Sequence, residues 1–183
     1  MRFNQHSTLS GRHAFLSPSS YHWLNYDYQK LENRYYAAQA ARRGTDLHEL
    51  AHAAISLRVP LDSSNQALST YVFDAIDLEM SCEQPLFFSD NCFGTADTIS
   101  FYDGVLRIHD LKTGITPSSP KQLEVYAAIF CLEYDIDPYS IQIELRIYQR
   151  AEVLVFEPPP EVIETIMGKI VDFDARVESF KGR

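Results

Sequence analysis

Asp110-Leu111-Lys112 places an acid and a lysine two residues apart, and on an extended strand that spacing turns both side chains to one face. Such a pair on rigid backbone suits one demanding reaction. Phosphodiesters resist hydrolysis because their negative charge repels nucleophiles. Carboxylates that hold Mg2+ or Mn2+ against the phosphate remove that obstacle, while a lysine orients the attacking water and offsets charge in the transition state. Two acids are needed, and Asp97 is the second candidate. Asp103-Gly104 is the dipeptide that most strongly signals a tight hairpin. Counting back from it puts Asp97 near the far end of the preceding strand, close to where Asp110-Leu111-Lys112 finishes. Taken alone, the three residues also fit a surface hairpin with an ion pair.

A second string offers different chemistry. His48-Glu49-Leu50-Ala51-His52 matches the zinc-peptidase pattern, with two histidines at i and i+4 on a predicted helix and a glutamate as general base. Zinc content and peptidase activity are what that reading requires. It gives no role to Gly94-Thr95-Ala96-Asp97, to Asp110-Leu111-Lys112, or to Gln122 and Tyr126, which lie one helical turn apart. Cys82, Cys92 and Cys131 never form a CxxC pair, which argues against a disulfide framework, a zinc knuckle or an iron–sulfur cluster. His6, His13, His22 and His109 receive no role, and His109 should point to the sheet face opposite Asp110. Trp23 reads as a core or interface aromatic. Tyr35 and Tyr36 fit either packing or stacking on single-stranded bases.

Positioning these groups falls to an ordered set of elements. A short helix should begin over 21–25, after the cap-like serines of Leu16-Ser17-Pro18-Ser19-Ser20. Helices are expected over 29–41 and 45–58, the second opened by Gly44-Thr45-Asp46, closed by Pro60, and apolar along Leu47, Leu50, Ala51, Ala54 and Leu57. Another helix is expected within 63–80. The period then changes to two. Strands are predicted at 85–88, 92–102 and 105–111, a loop at 113–120, an amphipathic helix at 121–134, and strands at 141–148 and 152–156. Pro158-Pro159-Pro160 should break the chain before a last helix reaching about 179. This order predicts an α/β fold, a central mixed β-sheet flanked by helices.

With 183 residues, 45% of them hydrophobic, the chain can build a real core, and a single domain over 1–183 is expected. No apolar run approaches the roughly 20 residues needed to cross a bilayer. The N-terminus lacks a charged region followed by an apolar one, so the expected location is the cytoplasm, that of the host if a phage encodes the chain. Net charge is −9, unhelpful to broad non-specific DNA binding. Some of that acid excess could hold metal. Lys30, Arg34, Arg42 and Arg43 cluster, and Arg146 and Arg150 flank a late strand, so a local basic groove is expected.

Four motifs occur in a telling order: Gly44-Thr45-Asp46-Leu47-His48-Glu49-Leu50, Gly94-Thr95-Ala96-Asp97, Asp110-Leu111-Lys112-Thr113-Gly114, and Gln122-Leu123-Glu124-Val125-Tyr126. In this arrangement the sequence resembles the RecB-like branch of the PD-(D/E)XK nucleases, which includes lambda-type exonucleases and CRISPR-associated RecB-like nucleases. The opening LSPSSYHWLNYD looks like the N-terminal segment of phage-encoded members, and the likeness covers about 13–134. The resemblance implies a restriction-endonuclease-like core and a metal-dependent DNA nuclease, with an exonuclease preferred and phage DNA recombination or processing as the setting. It implies metal ligation by His48, Asp97, Asp110 and the Leu111 carbonyl, and catalysis by Asp97, Asp110 and Lys112, with Gln122 and Tyr126 lining the site. The implied cofactor is Mg2+ or Mn2+, with the imidazole leaning toward Mn2+. The implied partner is DNA; a homo-oligomer or a phage recombination partner is compatible, and no membrane is involved. Tyr26 stands where many relatives carry a cysteine, so no iron–sulfur cluster is implied. A nuclease-fold protein that only binds DNA is a third class, weakened because every expected reactive group is present.

Overall fold

In the computed structural model, which describes residues 14–62, 64–114 and 118–181, the chain is α/β, with a five-stranded mixed sheet flanked by helices. Its elements are α1 (Tyr28–Ser56), α2 (Gln66–Asp77), β1 (Ser81–Ser89), β2 (Cys92–Tyr102), β3 (Val105–Lys112), α3 (Lys121–Glu133), β4 (Gln142–Gln149), β5 (Glu152–Phe156) and α4 (Pro160–Lys181). A 3-10 helix, Pro18–Asn25, precedes them, and another, Pro138–Ser140, leads into β4. The chain divides between Thr45 and Asp46 into two compact units. No helix among the described residues is long and apolar enough to cross a membrane.

The sheet belongs to the second unit and its strands follow chain order, β1-β2-β3-β4-β5. All neighbours are antiparallel except β3 and β4, which run parallel with Val105 to Lys112 opposite Gln142 to Gln149. A parallel pair needs a crossover, and α3 supplies it. The β2–β3 turn is the two-residue kind the sequence predicts. Asp103 and Gly104 both take positive φ, 51° and 73°, which matches the twist of the flanking strands.

Apolar side chains fill both faces of the sheet. On one, Leu106, Ile108, Leu145 and Ile147 pack with Leu123, Ala127 and Phe130 of α3 and Ile163 of α4. On the other, Leu111 and Tyr148 pack with Leu68, Tyr71, Val72 and Ala75 of α2 and with Ala51, Ala54 and Ile55. The Asn65 side chain caps α2 by accepting from the Leu68 amide.

Several elements depart from expectation. The helices predicted at 29–41 and 45–58 are one continuous helix, because Gly44-Thr45-Asp46 does not cap. The Thr45 hydroxyl instead donates back to the Ala41 carbonyl at 3.3 Å, and a glycine inside a helix costs only about 1 kcal/mol. Leu50 and Leu57, expected on the apolar side, are 47% and 74% exposed; the buried face is Ala51, Ala54 and Ile55. The strand predicted at 85–88 runs from Ser81, since full pairing with β2 carries the polar Ser81-Cys82-Glu83-Gln84 into the ladder. Its Pro85 is tolerated on an edge strand. The helix at 121–134 is buried around most of its girth, with Leu123, Glu124, Ala127, Ala128, Ile129, Phe130 and Cys131 all inside. Pro160 begins the last helix, where a missing N–H costs nothing. Residues 115–117 of the loop expected at 113–120 lie outside the described residues, as do His6 and His13.

Candidate active site

The β2–β3 ladder runs from Tyr102–Val105 to Thr98–His109 and stops there. One more step in the same register would set Asp97 opposite Asp110, and like charges directly across a strand pair repel. Beyond that point β2 continues only with β1, and β3 only with β4. The strands therefore fork, and the fork opens where the two acids stand. Asp97 holds it: its Oδ2 accepts from the Leu111 amide at 3.3 Å, replacing the missing ladder bond with a side chain. N–H and C=O of one strand residue point the same way, so the Leu111 carbonyl is directed into the same gap.

Around this fork the expected residues gather. His48, half-buried on α1, brings its Nδ1 to 3.4 Å from Asp97 Oδ2. Lys112 Nζ donates to Asp110 Oδ1 at 2.8 Å and to Gln122 Oε1, at the start of α3, at 3.1 Å. Tyr126, one turn further along α3, lies against Gly94. A Cβ built at Gly94 would stand 2.9 Å from the ring, so only glycine lets β2 approach α3 this closely. The sequence placed Asp97 near the far end of its strand; it is mid-strand, and the fork brings it to the site.

Asp110 is 3% exposed, and its second oxygen, Oδ2, has no hydrogen-bond partner among the described residues. A buried carboxylate oxygen left so is costly unless the site takes a cation or a proton. Asp97 feels the same pressure. Burial first, and the charge of Asp110 second, push its carboxyl up from 3.8 to about 6, against the opposing pull of His48 and the Leu111 amide. Glu83 adds a smaller push in the same direction. Glu83 was not anticipated, because it sits in the part of β1 that local periodicity does not reveal.

Two carboxylates, a carbonyl and an imidazole make a mostly oxygen donor set that suits Mg2+ or Mn2+, and the orphaned Asp110 Oδ2 is the observation that fits a cation there. In the present side-chain arrangement no three His, Cys, Asp or Glu among the described residues form a ready cage. Asp110 Oδ1 is engaged by Lys112.

His48 and His52 part company. His48 reaches the fork, whereas His52 is exposed on α1. His109, expected to face away from Asp110, is fully buried on the α2 side of the sheet. Its Nδ1 meets the Tyr148 hydroxyl at 3.2 Å, and that hydroxyl donates to Asp74 Oδ2 at 2.7 Å. Arg146 donates to the same oxygen at 2.9 Å. Burial, with Arg146 and Arg107 adding to it, lowers the imidazole to about 3, so His109 is a neutral buttress behind the strand that carries Asp110.

No protein-family model matches the chain, and no curated protein matches it.

Proposed function

We propose that the chain is a divalent-metal-dependent deoxyribonuclease of the PD-(D/E)XK superfamily, built on a restriction-endonuclease-like core and acting as an exonuclease. The observation that carries the reading is the fork. Asp97, Asp110, Lys112 and Gln122 occupy it together, with one buried carboxylate oxygen lacking a partner among the described residues. The resemblance of the ordered motifs supports the superfamily, and the mixed sheet with its α3 crossover is compatible with it.

Asp97, Asp110, the Leu111 carbonyl and His48 would hold the ion. Mg2+ or Mn2+, when bound, supplies Lewis acidity toward a phosphoryl oxygen. The chain's own residues do the remainder. Lys112 carries a positive charge whose position is fixed from two sides, by Asp110 and Gln122, so it can meet negative charge developing on the phosphate without reorganising. Gln122 orients that ammonium. Tyr126 packs on Gly94 and walls the site between α3 and β2. The peptidase pattern gains no comparable support, since His52 makes no approach to the fork.

End-labelled linear DNA and closed circular DNA, each incubated with Mn2+ or Mg2+, test the reading. Linear DNA should be degraded from its ends and circles spared. Cutting of circles would refute the exonuclease mode, and inertness toward both substrates with either metal would refute the nuclease.

A further inference from the structure

Charge is divided very unevenly along this chain. Residues 1–45 hold six Lys and Arg against two Asp and Glu, a net of +4, while residues 46–183 hold ten against twenty-three, a net of −13. Within the basic unit the aromatic side chains are on the outside. Tyr28 is 92% exposed, Tyr36 62% and Tyr35 46%. Tyr28, Leu31 and Tyr35 recur at i, i+3 and i+7 on α1, so they share a face. With Phe15, Leu16 and Tyr36 they line a shallow apolar cavity of about 340 Å3. Phe15 and Tyr35 meet edge to face at 5.5 Å, which fixes the ring that forms the cavity's middle.

Arg42 borders these rings, lining a neighbouring cavity with Phe15, Tyr35 and Gln39. Lys30 and Arg34 are exposed one turn apart on the opposite face of the helix, where Lys30 Nζ stands 4.7 Å over the Tyr26 ring. Arg42 and Arg43 continue the positive charge along the same helix. Of the two acids in the unit, Asp27 is engaged, its Oδ1 accepting from the Lys30 amide at 2.7 Å to start α1. Glu32 opposes the cations and lines the cavity itself, on the helix face between Tyr28 and Tyr36.

We infer that this N-terminal surface binds single-stranded nucleic acid, with bases stacking on Tyr28, Tyr35 and Tyr36 and phosphates meeting Arg42 and Arg43, which continue the same helix face. The inference rests on the nuclease reading for its choice of DNA as the strand. The charge fits a polyanion. Exposed ring faces beside cations fit unstacked bases, which a duplex keeps hidden. A partner that offered only acidic side chains would leave the rings unused.

The test uses the full chain in excess chelator, so that cleavage cannot interfere. Fluorescence anisotropy with a labelled thymidine 20-mer is compared with a duplex of the same length. The 20-mer should bind at least about tenfold more tightly. Tyr28→Ala with Tyr36→Ala should weaken it at least about tenfold, as expected from the stacking free energy of two bases. Arg42→Ala with Arg43→Ala should reduce the salt slope by about 1.4, the share of two phosphate contacts on a single strand. These side chains are exposed, and unchanged melting of each variant would show that folding is intact. Cleavage with unchanged 20-mer binding in the tyrosine variant would overturn this inference and leave the nuclease standing. Tyrosine-dependent binding with no cleavage under Mn2+ would do the reverse. If the tyrosine variant instead dissociated a dimer without affecting oligonucleotide binding, the surface would be a self-interface and the inference would fall.

Discussion

Replacing Asp97 by asparagine should stabilise the metal-free protein while removing its activity. A carboxyl that titrates at about 6 in the native state, against 3.8 ordinarily, lowers stability once pH exceeds both values, because the native state must give up a proton it holds more tightly. Converted at 1.36 kcal/mol per pH unit, the cost is about 3 kcal/mol, and allowing for water at a side chain 23% exposed leaves about 2. Asparagine keeps an oxygen that can accept from the Leu111 amide and carries no charge to set beside Asp110. The sign follows from the raised value. Wild-type stability from this group is intact below about pH 4, falls as pH rises to about 6, and stays low above. Asp97→Asn should therefore match wild type at pH 4 and exceed it at pH 8, where about 2 kcal/mol corresponds to a Tm gain of about 4–8 °C. Thermal unfolding followed by circular dichroism, in chelator at both pH values, reads this directly. Added Mn2+ should raise the wild-type Tm at pH 8 and leave the variant unmoved. A variant less stable than wild type at pH 8, or a difference independent of pH, would show that Asp97 is not held at a cost and would remove the electrostatic case for a cation at the fork.

Lys112→Ala should lower the cleavage rate about 100- to 1000-fold with DNA affinity nearly unchanged, as measured in single-turnover reactions with Mn2+; near-wild-type turnover would exclude its proposed role. Ca2+ should support DNA binding without cleavage, because its longer, looser coordination does not align the reacting groups. His48→Ala should weaken metal-dependent cleavage strongly and His52→Ala should leave most of it, since only His48 reaches Asp97; equal losses, with stoichiometric zinc in the wild type, would favour the peptidase instead. Gly94→Ala should destabilise by about 1–3 kcal/mol through the clash with Tyr126, and the penalty should shrink in a Tyr126→Leu background when both are measured by urea unfolding.

What the sequence discloses here is what lies within a few residues. Asp103-Gly104 announces its turn, the spacing of Asp110 and Lys112 sets them on one strand face, and Gln122 with Tyr126 falls on one turn of a helix. Each is a local rule of period or φ, and each element is found where the period puts it. The fork was not legible. It depends on Asp97 and Asp110 falling opposite each other across the hairpin, which is a property of register and not of either strand. Glu83 was hidden for a related reason, as Ser81-Cys82-Glu83-Gln84 has little strand propensity and becomes a strand only through β2. The continuous α1 shows propensity overridden in the other direction. The network of His109, Tyr148, Asp74 and Arg146 joins residues up to 74 apart in sequence, beyond any local pattern.

The Leu111 amide is tied to a carboxylate and not to a neighbouring strand. Most interior sheet amides exchange with solvent only when strands separate, so their exchange reports global or sub-global unfolding. This one can be released by the rotation of a single side chain. Its exchange rate is thus a native probe of Asp97 alone, slow while the carboxylate is bonded to it and faster whenever that bond is surrendered to another charge. The protein carries, in one backbone hydrogen beside its candidate reactive centre, an indicator of how that centre is occupied.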